Sequence, residues 1–254
     1  MTLRLPLLCL LLAFAASGQA KEPLTLQLCQ SNEGDYPWTL PDRPGLNNLL
    51  IERAARRTGV AVRFHPMPWA RCLFKTSAGE MDGVVGASYR PERLRIGVYP
   101  LKDGQPHTER RLMRNSYLLY RRKGDPRVHW DGQRLQVNGV VGVQTGFSVA
   151  GTLQRLGAAV DQQHRLPRPL LQQLLSGRLQ AIALTAAEGQ RLLAEHPQGS
   201  TVEALPAPLE EKDFYLVFSR QFQRQHPALV ERLWQALWLE QQTPEWRTES
   251  GRFR

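Results

Sequence analysis

Three features of the sequence predict an α/β fold of two parallel-sheet lobes joined by two crossing strands. From Lys21 onward, short apolar runs alternate with amphipathic stretches of helical period, the pattern of strands linked by crossover helices. The pattern completes one β-α-β-α-β unit between Leu24 and Ala87 and starts again beyond Asp125. A last apolar run, DFYLVFS at 213–219, does not extend the second unit, so the chain is expected to return to its first lobe. With 254 residues there is length for two lobes of about 100 residues, each with a core.

Each element follows from local pattern. LTLQLC (24–29) reads as the first strand. In GLNNLLIERAARRTG, Leu46, Leu49, Leu50 and Ala54 share one helical face and Gly59 stops the helix. VAVRFHP (60–66) is the second strand. Trp69 opens a helix with Cys72, Leu73 and Thr76 inward, ending at Gly79, and MDGVVGA (81–87) is the third strand. Tyr117 to Tyr120 reads as a strand leaving the first lobe. GVVGVQTG ends a strand in a turn, FSVAGTLQRLG places Val149, Leu153 and Leu156 on one helical face, and PLLQQLLSGRLQAIALT gives helix, stop and buried strand. PALVERLWQALWLE (227–240) is an amphipathic closing helix. These elements assign residues 21–113 and 214–254 to lobe 1 and 114–213 to lobe 2, with crossing strands near Leu112–Ser116 and near Phe214.

Residues 1–20 carry one early charge, Arg4, then an apolar stretch to Ala16 and small residues ending at Ala20, the layout of a cleavable secretory signal. The run is too short to span a bilayer. Export to an oxidising space leaves Cys29 and Cys72 as the remaining cysteines, to be read as one disulfide or as two buried thiols. Neither these nor the scattered histidines show the short spacings of a metal site, and no cofactor is expected. The net charge of +10 would suit nucleic acid, but the basic residues are dispersed and an exported chain does not meet it.

In open α/β sheets, ligands sit beyond the carboxyl ends of strands, which points to five loops: 32–38, 66–69, 86–93, 144–148 and the neighbourhood of Thr185. In NEGDYPW, the rings of Tyr36 and Trp38 could sandwich an apolar ligand body, or Trp38 could pack beneath the loop. Trp69 reads as a core anchor or a contact. QTGFS could hold an anion through the amides of Phe147 and Ser148 and the Ser148 hydroxyl, which would equally serve as a helix cap. In GASYRPERLRIG, Pro91 suits the first position of a short helix that aims Arg93 back at Ser88, a hydroxyl and a guanidinium that together make a carboxylate fork. Arg90 and Arg95 are expected to face solvent.

Taken in order, DYPW, the Gly45–Leu46 helix start, MPWARCL, GEMDGVVGASYRPER, GVVGVQTGFS, LLSGRLQAI and FYLVFSR resemble the bacterial extracellular solute-binding proteins of family 3, over nearly all of Leu24 to Trp246. The resemblance implies the two-lobed periplasmic-binding-protein fold, type II. It implies that Ser88 and Arg93 clamp a ligand carboxylate, with Gly146-Phe147-Ser148 in place of the family's second-lobe Gly-Thr-Thr turn. The family's second-lobe Asp, which pairs with an α-ammonium, falls by spacing on Thr185, and Gln180 stands where a strand-leading Asp is usual. Glu33 could supply a negative charge from the first lobe, since an unpaired buried ammonium is costly.

The expected function is therefore that of a periplasmic, monomeric, non-catalytic protein closing on a small carboxylate-bearing, amino-acid-like solute, for an inner-membrane ABC-type transporter or a sensor. Two rivals differ in class. One is a cyclohexadienyl-dehydratase-like enzyme, for which Glu33 and Glu188 are the acid–base candidates. The other is a partner-docking protein with a reduced ligand site.

Overall fold

The computed structural model describes residues 24–252 of the chain, so the expected leader lies outside the described residues. In lobe 1, β1 (Thr25–Ser31) is followed by α1 (Leu46–Thr58), β2 (Ala61–Met67), α2 (Trp69–Ser77) and β3 (Gly83–Ser88). A 3-10 turn at Pro91–Arg95 and a small hairpin, β4 (Leu101–Lys102) with β5 (Gln105–Pro106), precede the first crossing strand, β6 (Met113–Arg122). Lobe 2 adds a second hairpin, β7 (Val128–Trp130) with β8 (Leu135–Val137), then β9 (Val140–Val143), α3 (Val149–Arg155) and β10 (Ala159–Asp161). It continues through α4 (Pro167–Leu175), β11 (Ala181–Thr185), α5 (Ala186–Glu195) and β12 (Val202–Ala204). The second crossing strand, β13 (Glu210–Phe218), leads into α6 (Arg220–Gln225), α7 (Pro227–Gln241) and α8 (Pro244–Gly251).

The strands form one curled sheet in the order β10-β9-β11-β6-β13-β3-β1-β2. Within each lobe the crossover strands run parallel, β2-β1-β3 and β10-β9-β11. The crossing strands are antiparallel to their neighbours because they run between the lobes in opposite directions. Residues 113–117 of β6 pair with 210–214 of β13, after which β6 joins β11 in lobe 2 and β13 joins β3 in lobe 1.

Helices cover both faces of each half-sheet, and β11 is buried along its whole length. In lobe 1, Leu50, Ile51 and Ala54 of α1 pack with Leu233, Trp234 and Leu237 of α7 on one face, and α2 packs on the other through Trp69 and Cys72. In lobe 2, Val149 and Leu153 of α3 cover one face, while Leu170, Leu171 and Leu174 of α4 and Leu192 of α5 cover the other. No helix among the described residues is long and apolar enough to cross a membrane.

One backbone irregularity positions the site. Gly86, at φ +76°, is the extra residue in a bulge where the β13 register shifts between Tyr215 and Leu216, so that Tyr215 faces Ala87 while Leu216 faces Val85. A glycine bulge bends its strand and re-aims the side chains beyond it. Here that side chain is Ser88, the last residue of β3.

Cys29 of β1 and Cys72 of α2 are bridged, with Cα atoms 5.6 Å apart and 43 positions apart in sequence. Closing a loop of that size restricts the unfolded chain, so the Cys29→Ser/Cys72→Ser pair is expected to cost about 2–5 kcal/mol. In a thermal scan this should appear as a midpoint lower by roughly 5–15 °C; unchanged midpoints with and without reductant would contradict it.

Candidate functional site

Between the lobes lies a cavity of about 40 Å³, walled by the end of β1, the start of α2, the bulged end of β3, both crossing strands and the start of α3. Its sides are apolar: Trp69, Val85, Met113, Tyr117, Phe147 and Phe214. By volume it holds roughly three waters. Its polar groups gather in two opposed clusters.

The cationic cluster forms around Ser88 and Ser148. Arg93, in the turn begun by Pro91, donates from Nη1 to Ser88 Oγ at 2.8 Å and to Ser88 O at 3.2 Å, and from Nη2 across the lobes to Gly146 O at 3.2 Å. Its guanidinium lies 5.9 Å from the centre of the Trp69 ring, and burial lowers its pKa. The fully buried Ser88 donates to Ser148 Oγ at 3.2 Å, and Tyr99 fixes the Ser88 carbonyl with a 3.0 Å bond. Lys212 of β13 donates to the same Ser148 Oγ at 2.9 Å. Burial pushes its ammonium down to about 8, against the pull of Glu210 2.5 Å away.

Arg90 does not face solvent as the sequence suggested. Its guanidinium crosses to lobe 2 and donates to Ser148 O and, at 3.2 Å, to Thr152 Oγ1. The guanidinium passes close over Gly151, where a Cβ would stand 2.6 Å from Arg90 Nη1. Nor does Ser148 cap α3; its hydroxyl is turned to Ser88 and Lys212 instead. Arg90 and Lys212 thus converge on Ser148, and Arg93 on Ser88, whose hydroxyl donates to Ser148; with Glu210 as the countercharge, the arrangement is suited to an anion.

At the other end Asp35 accepts a 2.8 Å hydrogen bond from Thr185 Oγ1, across the lobes. Burial pushes the Asp35 carboxyl up to about 7, with the charge of Glu188 adding to the rise and the Thr185 bond opposing it. Glu188, buried in the first turn of α5, accepts from the Tyr36 amide at 3.2 Å and from Arg191 Nη2 at 2.6 Å. The position where the resemblance leads one to look for a second-lobe acid thus holds a hydroxyl, and the acid reaches it from lobe 1.

Ser88, Arg93, Trp69, Phe147 and Ser148 share the cavity, and Thr185 touches it through Asp35. Trp69 combines the two readings given it, since it lines the cavity while only 6 % exposed in the lobe 1 core. Glu33 lies at the start of α2, where it accepts from the Trp69 amide at 3.4 Å and from Ser31 Oγ at 3.2 Å; burial raises its pKa. Tyr36 and Trp38 line a separate groove. Lys212, Glu210 and Asp35 were missed, and Arg90 was read as a solvent-facing charge. Asp35 had one signal, an acid beside Tyr36 in a loop already singled out. Among the described residues no cluster of metal-ligating side chains is present.

No family model matches the chain, and no curated protein matches it in sequence. Solved structures match nearly all of it. A histidine kinase sensor domain with similarity to periplasmic binding proteins superposes at TM-score 0.71 and 15% identity, covering 92% of this chain and 97% of its own. The substrate-binding protein of an amino acid ABC transporter gives 0.70 and 14%, covering 90% and 98%. The ancestral amino-acid-binding protein AncCDT-1, a precursor of cyclohexadienyl dehydratase, gives 0.67 and 16%, covering 90% and 95%. The chain therefore has the two-lobed periplasmic-binding-protein fold, with its polar clusters facing each other across the lobe interface.

Proposed function

We propose that the protein is an exported, monomeric solute-binding protein of the family 3 type, whose lobes close by bending at 113–117 and 210–214 on a small zwitterion. The observation that carries this reading is the pairing of opposite clusters across one interlobe cavity. A ligand carboxylate would displace the Gly146 carbonyl from Arg93 and take Ser88, Arg93 and Ser148 as donors. A cationic group would face Asp35, and Trp69 and Phe147 would flank the apolar part. The small volume favours an amino acid with a short side chain, such as glycine, alanine or serine. Delivery to a membrane transporter is the role supported by the likeness to a transporter's binding protein, and a sensor partner is the alternative that the sensor-domain likeness supports.

A panel of amino acids and small organic acids, screened by thermal shift and followed by calorimetry, tests the proposal. A short amino acid is expected to raise the midpoint through mass action, by about 2.7 kcal/mol of added stability at a hundred times its dissociation constant. No response from any panel member at millimolar concentration would defeat it. One observation favours an enzyme instead, a cavity carboxyl titrating near neutrality. Loss of water from a cyclic carboxylate, catalysed by the wild type and abolished by Asp35→Asn, would establish that reading.

A further inference from the structure

Two contacts join the lobes through a side chain that stands outside the cavity's lining. One is the bond from the Tyr36 amide to Glu188, at 3.2 Å. The other is made by Arg90, which leaves the turn after β3, crosses to α3 and donates to Ser148 O and to Thr152 Oγ1. Neither Arg90 nor Thr152 walls the cavity. The bonds from Arg93 to Gly146, from Ser88 to Ser148 and from Thr185 to Asp35 also cross between the lobes, but each uses a group at the cavity wall, where a ligand would compete for it.

Arg90 meets a prepared receiver on lobe 2. The Thr152 hydroxyl accepts from Arg90 at 3.2 Å and from Arg155 at 3.0 Å and gives its proton to Glu210, which fills the one donor and two acceptor places of a hydroxyl. Glu210 pairs with Lys212 at 2.5 Å, Lys212 donates to Ser148 Oγ at 2.9 Å, and the Ser148 carbonyl accepts from Arg90. The circuit runs through α3 and the crossing strand β13, and Arg90 is its only member from lobe 1.

We propose that Arg90 is a positioning residue, a latch that fastens α3 of lobe 2 to lobe 1 and holds the lobe angle at which the cavity's two polar clusters face each other. Its bonds are protein to protein, so they favour the closed arrangement by the same amount whatever the cavity holds. A ligand that binds only the closed arrangement has an apparent affinity scaled by the closed fraction, and losing the latch lowers that fraction for every ligand alike. Arg93 and Asp35 therefore discriminate between solutes, and Arg90 does not. The latch does not depend on which solute the cavity takes.

The test is small-angle X-ray scattering on the exported chain without added solute, followed by calorimetry with the amino-acid panel. Arg90→Ala is expected to have a larger radius of gyration than wild type. Arg90→Met keeps the apolar stem and loses the donors, so a shift shared by both variants reads the hydrogen bonds and not the packing. Affinity for each responding solute should fall about tenfold in both, with the ratios between solutes unchanged, and saturating solute should return both to the wild-type radius. Scattering from the two folded variants that superposes on wild type overturns the proposal. So does a loss of affinity that falls on one solute and spares another, which would make Arg90 a ligand contact. The scattering comparison needs no ligand, so it decides the latch even if no member of the panel binds.

Discussion

Replacing Arg93 by Ala is expected to weaken binding of the cavity's ligand by about a hundredfold or more, while leaving the chain folded. The magnitude follows from what the substitution leaves behind, a desolvated carboxylate without its charge partner. The guanidinium is aimed before the ligand arrives: Ser88 takes Nη1 at 2.8 Å, and Trp69 lies beneath it. Little ordering is therefore left to do on binding, and most of the interaction is realised as affinity. Arg93→Lys keeps a charge but not the planar fork, and should fall between the two. The fold should tolerate both, because the bonds lost are to Ser88 and Gly146 at the lobe interface and not within a core cluster. Calorimetry with the best ligand of the panel gives the measurement, and an affinity unchanged in Arg93→Ala would remove the carboxylate clamp.

The parts of the molecule that could be read from sequence are those whose cause is local. Strands β1, β3 and β11 and helices α1 and α7 are fixed by apolar period and glycine stops, and they lie within a few residues of the expected places. The placement of Arg93 against Ser88 was legible for the same reason, since a buried strand and a proline-started turn determine it. The hairpins β4–β5 and β7–β8 were not, because two- and three-residue strands have no measurable period. Several residues acting across the lobes were read wrongly or missed. Arg90 has the local look of a solvated charge, and only the approach of Ser148 and Thr152 gives it partners. Lys212 and Glu210 sit in a crossing strand that sequence alone marked only from Asp213 onward. Asp35 meets Thr185, 150 positions away, so no spacing rule could pair them.

That Asp35–Thr185 contact leads to the second large expected effect, in which stability and binding respond to pH in opposite directions. An Asp titrating near 7 when folded and near 4 when unfolded retains its proton in the folded state across that interval. Its contribution to stability is complete below the unfolded value and is lost as pH rises through about 7, where the native chain must ionise a buried carboxyl. Asp35→Asn keeps an oxygen to accept from Thr185 and carries no charge. Unliganded, it should lose less midpoint than wild type between pH 6 and pH 8 in a thermal scan. Binding runs the other way, because a ligand ammonium needs the ionised carboxylate. Wild-type affinity for a zwitterion should rise across the same interval with release of a proton, detectable by calorimetry in buffers of different ionisation enthalpy. In Asp35→Asn the affinity should be about tenfold lower or less still, and flat with pH. A ligand without a cation reverses the sign, since a neutral Asp35 is then the better neighbour and affinity falls as pH rises. Affinity falling with pH in wild type would thus leave the carboxylate clamp standing and remove the zwitterion. Thermal scans with no difference between Asp35→Asn and wild type would instead show that Asp35 is already ionised at pH 6, and the acid end of the cavity would then be a fixed charge and not a titrating one.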